Sequence, residues 1–362
     1  MRRLTRRAGG LTCRVSALEL HYRLGGLHLP RLGLWLDPRR AVRGPERVVI
    51  SHAHSDHAAA HREVWLTAPT ARFLRLRLRG ERVEHVLAFE EPCDLSGPGG
   101  AFRLTLRPAG HILGSALTRI EAGGETLLYT GDFKLRPGRA AEPCAPCRAE
   151  VLVMETTFGR PEFRFPPAEE VVAAVVEFCR ETLAAGRTAL LLAYALGKSQ
   201  ELLARLAGAD LPVVLHKQVH QVTRIYEALG RTFPPHERLA GDNGRGKVVL
   251  CPPTADRAAL QARLGPTRSA VISGWALLPR CRYQWRTDAA FPLSDHADFP
   301  DLLRLVEAVA PRRVFTVHGF AADFAATLRE RGWDARALSE ADQLNFRLGD
   351  PLRLPAAAVA SS

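Results

Sequence analysis

Three observations predict an α/β fold. Residues 32–155 form a succession of short apolar or alternating runs bounded by turn residues, the rhythm of strands. From about residue 168, helical spacing alternates with short apolar strands, as in a parallel sheet flanked by helices. The stretch "DHADFPDLLRLVEAVAPRRVFTVHGF" (295–320) reads as helix then strand, returning to the first pattern.

Taken in order, "LGLWLD" (32–37), "RVVI" (47–50), "VWLTA" (64–68), "RVEHVLAF" (82–89) and "FRLTLRP" (102–108) are the first expected strands. "SALTRIEAGGETLLYTGDF" (115–133) is an expected hairpin, because Gly123-Gly124 supplies a tight turn between two alternating runs. "AEVLVME" (149–155) is a further buried strand. A helix is expected from 168, a strand at "TALLLAY" (188–194), a helix from about 198, a strand at "PVVL" (212–215) and a helix from about 218. Residues 230–246 read as loop, followed by strands at "KVVLCPP" (247–253) and "SAVISGW" (269–275).

A chain of 362 residues with 46% hydrophobic and 24% charged residues can bury a substantial core, in two domains. No apolar run reaches the length of a membrane span. The basic start "MRRLTRRAGG" lacks a following apolar h-region, so a cytoplasmic protein without a secretion signal is expected, and "PAAAVASS" reads as a loose tail. Seven scattered cysteines do not form a disulfide framework, and Cys144-Ala-Pro-Cys147 lacks the second pair a zinc ribbon needs. The formal charge is +12, and 46 of the 50 basic residues are arginine, whose planar fork suits phosphate. The excess favours a polyanionic partner.

The chemistry concentrates in "RVVISHAHSDHAAA" (47–60), where a buried strand gives way to His52, His54, Asp56 and His57. His52 and His54 point to one side of an extended segment, and Asp56 and His57 follow where the chain is expected to turn into a helix. Histidine and aspartate are costly to bury without partners, so four in six positions point to a metal. More ligands are expected at other strand ends: His111 after 102–108, Asp132 after the hairpin and His318 after "RVFTV". Singly, each would pass for a turn residue; together they outline one rim.

These motifs resemble the metallo-β-lactamase superfamily: His52-Ala-His54-Ser-Asp56-His57 matches its HxHxDH signature, and "GHILGSA" and "YTGDF" match its next two. The resemblance implies an αββα sandwich carrying two divalent ions, Zn²⁺ or Mn²⁺. One ion would take His52, His54, His111 and Asp132; the other Asp56, His57, His318 and a shared Asp132. Two ions clamp the attacking and leaving oxygens of a hydrolysed ester. "METTFG" (154–159), "LSDHADF" (293–299) and "TVHGF" (316–320) resemble motifs A, B and C of the β-CASP nucleases, the group of Artemis, Apollo and the RNase J enzymes. That resemblance implies an inserted α/β β-CASP domain at 168–290, with 1–167 and 291–362 forming the two parts of the lactamase domain. It also implies catalytic roles for His296 as proton donor to the leaving oxygen, Glu155 as its orienting acid, and Asp56.

"PAGHILGSA", "ETTFGRPEFRFPP", "AYALGKSQELL" and "PLSDHADFPDLL" further resemble bacterial ligase-associated DNA exonucleases. This implies a 5′ end-directed, metal-dependent DNA exonuclease of DNA repair, partnered by DNA, an ATP-dependent DNA ligase and an Lhr-type helicase. The alternative is a β-CASP RNA nuclease of the RNase J or mRNA 3′-end-processing kind. The motif C histidine is shared with RNA-cutting members, whereas Phe320 stands where many of those have an acid. Other rivals are a small-molecule hydrolase and a catalytically silent nucleic-acid-binding subunit. Lys198, Ser273 and Ser294 are candidate phosphate contacts. Trp275, Tyr283 and Trp285 near Arg280, Arg282 and Arg286 are candidates for base stacking.

Overall fold

The structure is a computed structural model that describes residues 18–338 and the backbone of 343–344. The basic start and the Pro-Ala tail lie outside the described residues.

Two seven-stranded sheets form the frame. The first gathers β1 (Leu20–Arg23), β2 (Gly26–Leu29), β3 (Leu34–Leu36), β4 (Arg47–Val49), β5 (Glu63–Leu66) and β6 (Val83–Val86), with helix α1 (Ala68–Arg77) between the last two. The second is built on β7 (Pro92–Gly97), β8 (Gly100–Pro108), β9 (Ala116–Ala122), β10 (Glu125–Tyr129) and β11 (Val151–Glu155). The chain then leaves through α2 (Ala168–Ala184). A six-stranded, wholly parallel sheet follows: β12 (Thr188–Leu192), β13 (Val213–Leu215), β14 (His236–Arg238), β15 (Val248–Cys251), β16 (Thr267–Ile272) and β17 (Ala289–Phe291). Its helices are α3 (Lys198–Arg205), α4 (Lys217–Ala228), α5 (Arg257–Leu264) and α6 (Cys281–Trp285). After α7 (Phe299–Val309), strand β18 (Arg313–Val317) returns to the second sheet beside β11, α8 (Ala321–Glu330) crosses over, and β19 (Ala335–Ala337) closes that edge. Strand β20 (Gln343–Leu344) pairs with β1 at the edge of the first sheet.

Buried residues of both frame sheets meet in one core, in which Leu34, Leu36 and Val49 pack with Leu104, Ile120 and Val153. On the other face of the second sheet, Leu128, Leu152 and Met154 pack with Leu302, Leu305 and Val306 of α7. The parallel sheet has its own core, with Leu191, Leu215 and Leu250 against Val175 and Leu202 of its helices. Strands buried on both faces read as unbroken apolar runs, which is why "TALLL" and "VVLC" carry no alternation.

The expected hairpin is present: Ala122 pairs with Glu125 across Gly123 and Gly124, both at positive φ as a type I′ turn requires. Several expectations fail locally. No helix starts at Asp56; residues 55–57 form a turn, closed by His57 N donating to His54 O at 3.1 Å. Helix α1 was not expected, because "FLRLRLR" (73–79) alternates with period two and hides its helical face; Thr67 caps it. Strands β1, β2, β7, β17 and β19 and helices α5, α6 and α8 are also additions, and β14 falls in the stretch read as loop. Among the described residues, no helix is long and apolar enough to cross a membrane.

Leu191 is fully buried at the centre of the parallel sheet. Leu191→Ala is expected to lower unfolding free energy by about 2–5 kcal/mol, read as a reduced denaturant midpoint.

Candidate metal centre and catalytic cleft

The site begins with a carboxylate at the end of β3. Asp37, buried and at φ 49°, accepts hydrogen bonds from Ser51 N at 2.7 Å and Tyr129 OH at 3.0 Å, and sits 2.9 Å from His57 Nδ1. Ser51 Oγ donates to the same carboxylate, so its lone pairs are left for His52 Nδ1–H at 3.0 Å. This relay puts the hydrogens of His52 and His57 on Nδ1 and turns each Nε2 lone pair inward. Gly131 lies against the relay at φ 52°, where a Cβ would stand 2.5 Å from Ser51 Oγ.

The lone pairs converge on Asp132, which is 5% exposed. Its carboxylate oxygens lie 3.4 Å from His52 Nε2, 3.3 Å from His57 Nε2 and 3.7 Å from His111 Nε2. His54 Nδ1 is 3.0 Å from His111 Nε2. The ligand atoms of His52, His54, His111 and Asp132 all lie within 4.8 Å of one another. Their far nitrogens are anchored outside the cluster, His54 Nε2–H on Leu196 O at 3.1 Å and His111 Nδ1–H on Asp295 O at 2.7 Å.

Such anchoring is the outer-shell pattern of metal-ligating histidines. Buried His52 Nε2 makes no hydrogen bond and faces the other ligand atoms of the cluster. The four side chains therefore fit a divalent cation. By contrast, buried His61 is satisfied at both nitrogens, accepting from Val42 N and donating to Pro38 O.

Asp56 and His318 stand farther out. The Asp56 side chain is 57% exposed, 4.0 Å from His57 Nε2. The His318 ring is 5.3 Å from that of His57, and its Nδ1 accepts from Arg39 Nη2 at 3.1 Å. Neither belongs to a close ligand cluster among the described residues. His318 itself holds φ 59°, and Gly319 follows where a Cβ would meet Thr157 Cα at 2.4 Å.

Across the cluster, His296 Nε2 is 4.0 Å from Asp132, while His296 Nδ1–H donates to Glu155 Oε1 at 2.9 Å. Glu155, 1% exposed, also accepts from Phe133 N and Thr157 N. Glu155 thus fixes the orientation of the His296 imidazole.

Electrostatics separate these histidines. Burial, then the His296 charge, pushes His111 down to about 3. Burial and His57 push His318 down to about 4. Burial also works against the His296 charge, but Glu155 and Asp132 outweigh it and raise the group to about 9. Burial alone would raise Asp132, yet His57 and His296 hold it well below the usual carboxylate range.

A cleft of about 680 Å³ opens over the cluster. Lys198, Ser273 and Ser294 all line it. Lys198 is nevertheless 3% exposed with Nζ paired to Asp295. Ser273 Oγ accepts from Trp275 N, and Ser294 Oγ accepts from His296 N. Of the three aromatic candidates only Trp275 lines the cleft; Tyr283 is 70% exposed on α6, under Arg282. Sequence reading missed Asp37, Asp295 and the Leu196 carbonyl. Asp37 had a signal, a carboxylate directly after a buried strand in "LGLWLDP"; a backbone carbonyl has none.

Comparison with known proteins agrees with this geometry. Residues 26–174 match the family model described as metallo-beta-lactamase superfamily, and 289–338 match a Zn-dependent metallo-hydrolase RNA specificity domain. Together they cover more than half of the chain, which belongs to the metallo-β-lactamase superfamily, a class of metal-dependent hydrolases, within its β-CASP group.

Among relatives, a protein of Opitutus terrae named "Probable DNA ligase" is 52% identical over 322 residues, 89% of this chain but 31% of that protein. "Transcription termination factor FttA" of Thermococcus kodakarensis is 28% identical over 53% of this chain and 36% of its own length. Its counterpart in Pyrococcus abyssi is 30% identical over 51% and 34%. The chain thus spans about a third of these curated relatives. A crystal structure of a protein of unknown function from Enterococcus faecalis shares the fold, with TM-score 0.53 at 14% identity over 76% of each chain.

Chelator-stripped protein is expected to regain bound zinc, counted by elemental analysis, and a higher melting temperature; His52→Ala is expected to regain neither. Asp37→Asn is expected to weaken zinc binding roughly 10–100-fold through misorientation of His52 and His57.

Proposed function

We propose that the chain is a binuclear-metal phosphodiesterase that degrades DNA from a 5′ end during repair, in the cytoplasm and in association with an ATP-dependent DNA ligase and a helicase. The observation that carries the reading is the opposition, across Asp132, of the four-ligand cluster to the Glu155–His296 pair. His52, His54, His111 and Asp132 would hold one ion, and Asp56, His57, His318 and Asp132 a second, either Zn²⁺ or Mn²⁺. When bound, such ions supply Lewis acidity toward the phosphoryl oxygens and an activated water.

The protein's own side chains do the rest. Asp56, at the rim, accepts the proton of the attacking water. His296 Nε2–H faces the cleft and gives its proton to the leaving alkoxide, while Glu155 holds the ring through Nδ1 and stabilises its charge. Lys198 keeps Asp295 ionised, and the Asp295 carbonyl holds His111. This makes Lys198 a positioning residue in place of the direct phosphate contact expected of it. Residues 168–290 read as the inserted β-CASP unit, which supplies the second wall of the cleft.

The DNA and ligase reading is supported by greater identity to a stretch of a protein named a probable DNA ligase than to the FttA relatives. An RNA nuclease is the second reading, favoured by the RNA-specificity description of the 289–338 match and by the motif C histidine. Metal-stripped protein resupplied with zinc or manganese should be given matched single-stranded DNA and RNA, labelled at either end. Short products released from the 5′ end of DNA are expected; preferential cutting of RNA would establish the second reading. His296→Asn is expected to lower kcat about 10²–10⁴-fold with zinc content and melting temperature retained. Wild-type turnover by that variant would refute the acid assignment.

A further inference from the structure

Two aromatic rings present exposed surface to the cleft that the hydrolytic chemistry does not use. Tyr194 is 55% exposed and Trp275 is 37% exposed, and both line the cavity over the metal cluster. They leave one wall from neighbouring strand ends. Leu192 of β12 pairs with Val271 of β16, so the chains that carry the rings start about 4.8 Å apart.

Both rings have fixed bases. Tyr194 O accepts from Ser199 N at 3.1 Å and Ser199 Oγ at 2.8 Å, which ties the residue to the first turn of α3. Trp275 rests on Phe158 and Phe163, with ring centroids at 4.8 and 5.6 Å; those two are buried to 2% and 1% exposure. Gly274 lets it do so, since a Cβ there would stand 2.5 Å from Phe158 Cζ. The exposed cations of the cleft, Arg39 after β3 and Arg77 at the end of α1, come from the lactamase half, whereas Lys198 on the other wall is buried and paired with Asp295. One half therefore offers charge, the other exposed aromatic faces.

A paired strand presents only its phosphates and keeps its base faces covered; an unpaired strand presents both. We propose, building on the phosphodiesterase reading, that Tyr194 and Trp275 stack the bases flanking the scissile phosphate. The cleft then selects unpaired nucleotides of a polynucleotide strand, and a duplex end must fray before it is cut. The rings are specificity-determining residues that hold the strand while the lactamase half acts on its backbone.

The test uses the metal-loaded full chain and single-stranded DNA oligonucleotides in which one abasic nucleotide is stepped along the strand. For wild type, kcat/KM is expected to fall about tenfold when the missing base flanks the cut and to be unaffected farther away. Tyr194→Ala and Trp275→Ala are expected to lose about tenfold on the intact strand, with no further loss on the abasic one. Tyr194→Phe and Trp275→Phe should retain the wild-type pattern. If Trp275→Ala fails to fold, Tyr194→Ala decides the matter alone. Equal abasic penalties in wild type and alanine variants, or no penalty in wild type, would overturn the stacking proposal while leaving the phosphodiesterase reading intact. Failure to cut any strand would overturn both.

Discussion

A carboxylate buried among imidazoles is the constraint on which the rest of the site depends. Asp132 lies within 4 Å of four histidines and is almost inaccessible to solvent. A buried charge needs a compensating one; His57 and His296 supply part of it, whereas neutral His52 and His111 turn lone pairs toward the carboxylate. A divalent cation resolves the conflict by accepting the lone pairs and the carboxylate together. The neighbouring features follow from this need. Asp37 and Ser51 fix the tautomers of His57 and His52, Gly131 allows that relay to pack, and the Leu196 and Asp295 carbonyls turn His54 and His111 inward.

The Leu196 carbonyl connects the parallel sheet to the frame: Leu196 follows β12, yet it anchors His54, a ligand carried by the frame sheets. The Asp295 carbonyl, just before α7, anchors His111. The buried Lys198–Asp295 pair ties the two anchors to each other. Gly197 sits between Leu196 and Lys198 at φ +91°, where a Cβ would approach Ile112 Cγ2 to 2.2 Å. The segment after β12 therefore contributes to the geometry of the His/Asp cluster as well as to the wall above it.

Much of this was legible in the sequence, for reasons that differ by residue. His52, His54 and His57 cluster too tightly for packing, and His111 and Asp132 follow strands in glycine-bearing turns, so their convergence could be anticipated. Strands buried on both faces, such as "TALLL", announced themselves as apolar runs. Helix α1 did not, because its leucines alternate with arginines; its cap at Thr67 and its contacts decide the conformation. Lys198 looked like a phosphate ligand because its partner lies 97 residues away. Asp37 drew no notice beyond ending the run 32–37, and its role comes from the fold, which places it between Ser51, His57 and Tyr129. The exposure of Tyr194 and the paired state of Lys198 both depend on three-dimensional neighbours that spacing does not encode.

The central claim, that the buried cluster is a metal centre, is tested most directly by diffraction from crystals of the zinc-loaded protein on either side of the zinc absorption edge. An anomalous peak is expected within the cluster of His52 Nε2, His54 Nδ1, His111 Nε2 and the Asp132 carboxylate, with the anchoring carbonyls unmoved. A zinc-replete crystal with no peak between these atoms, or with zinc bound only elsewhere, would contradict it.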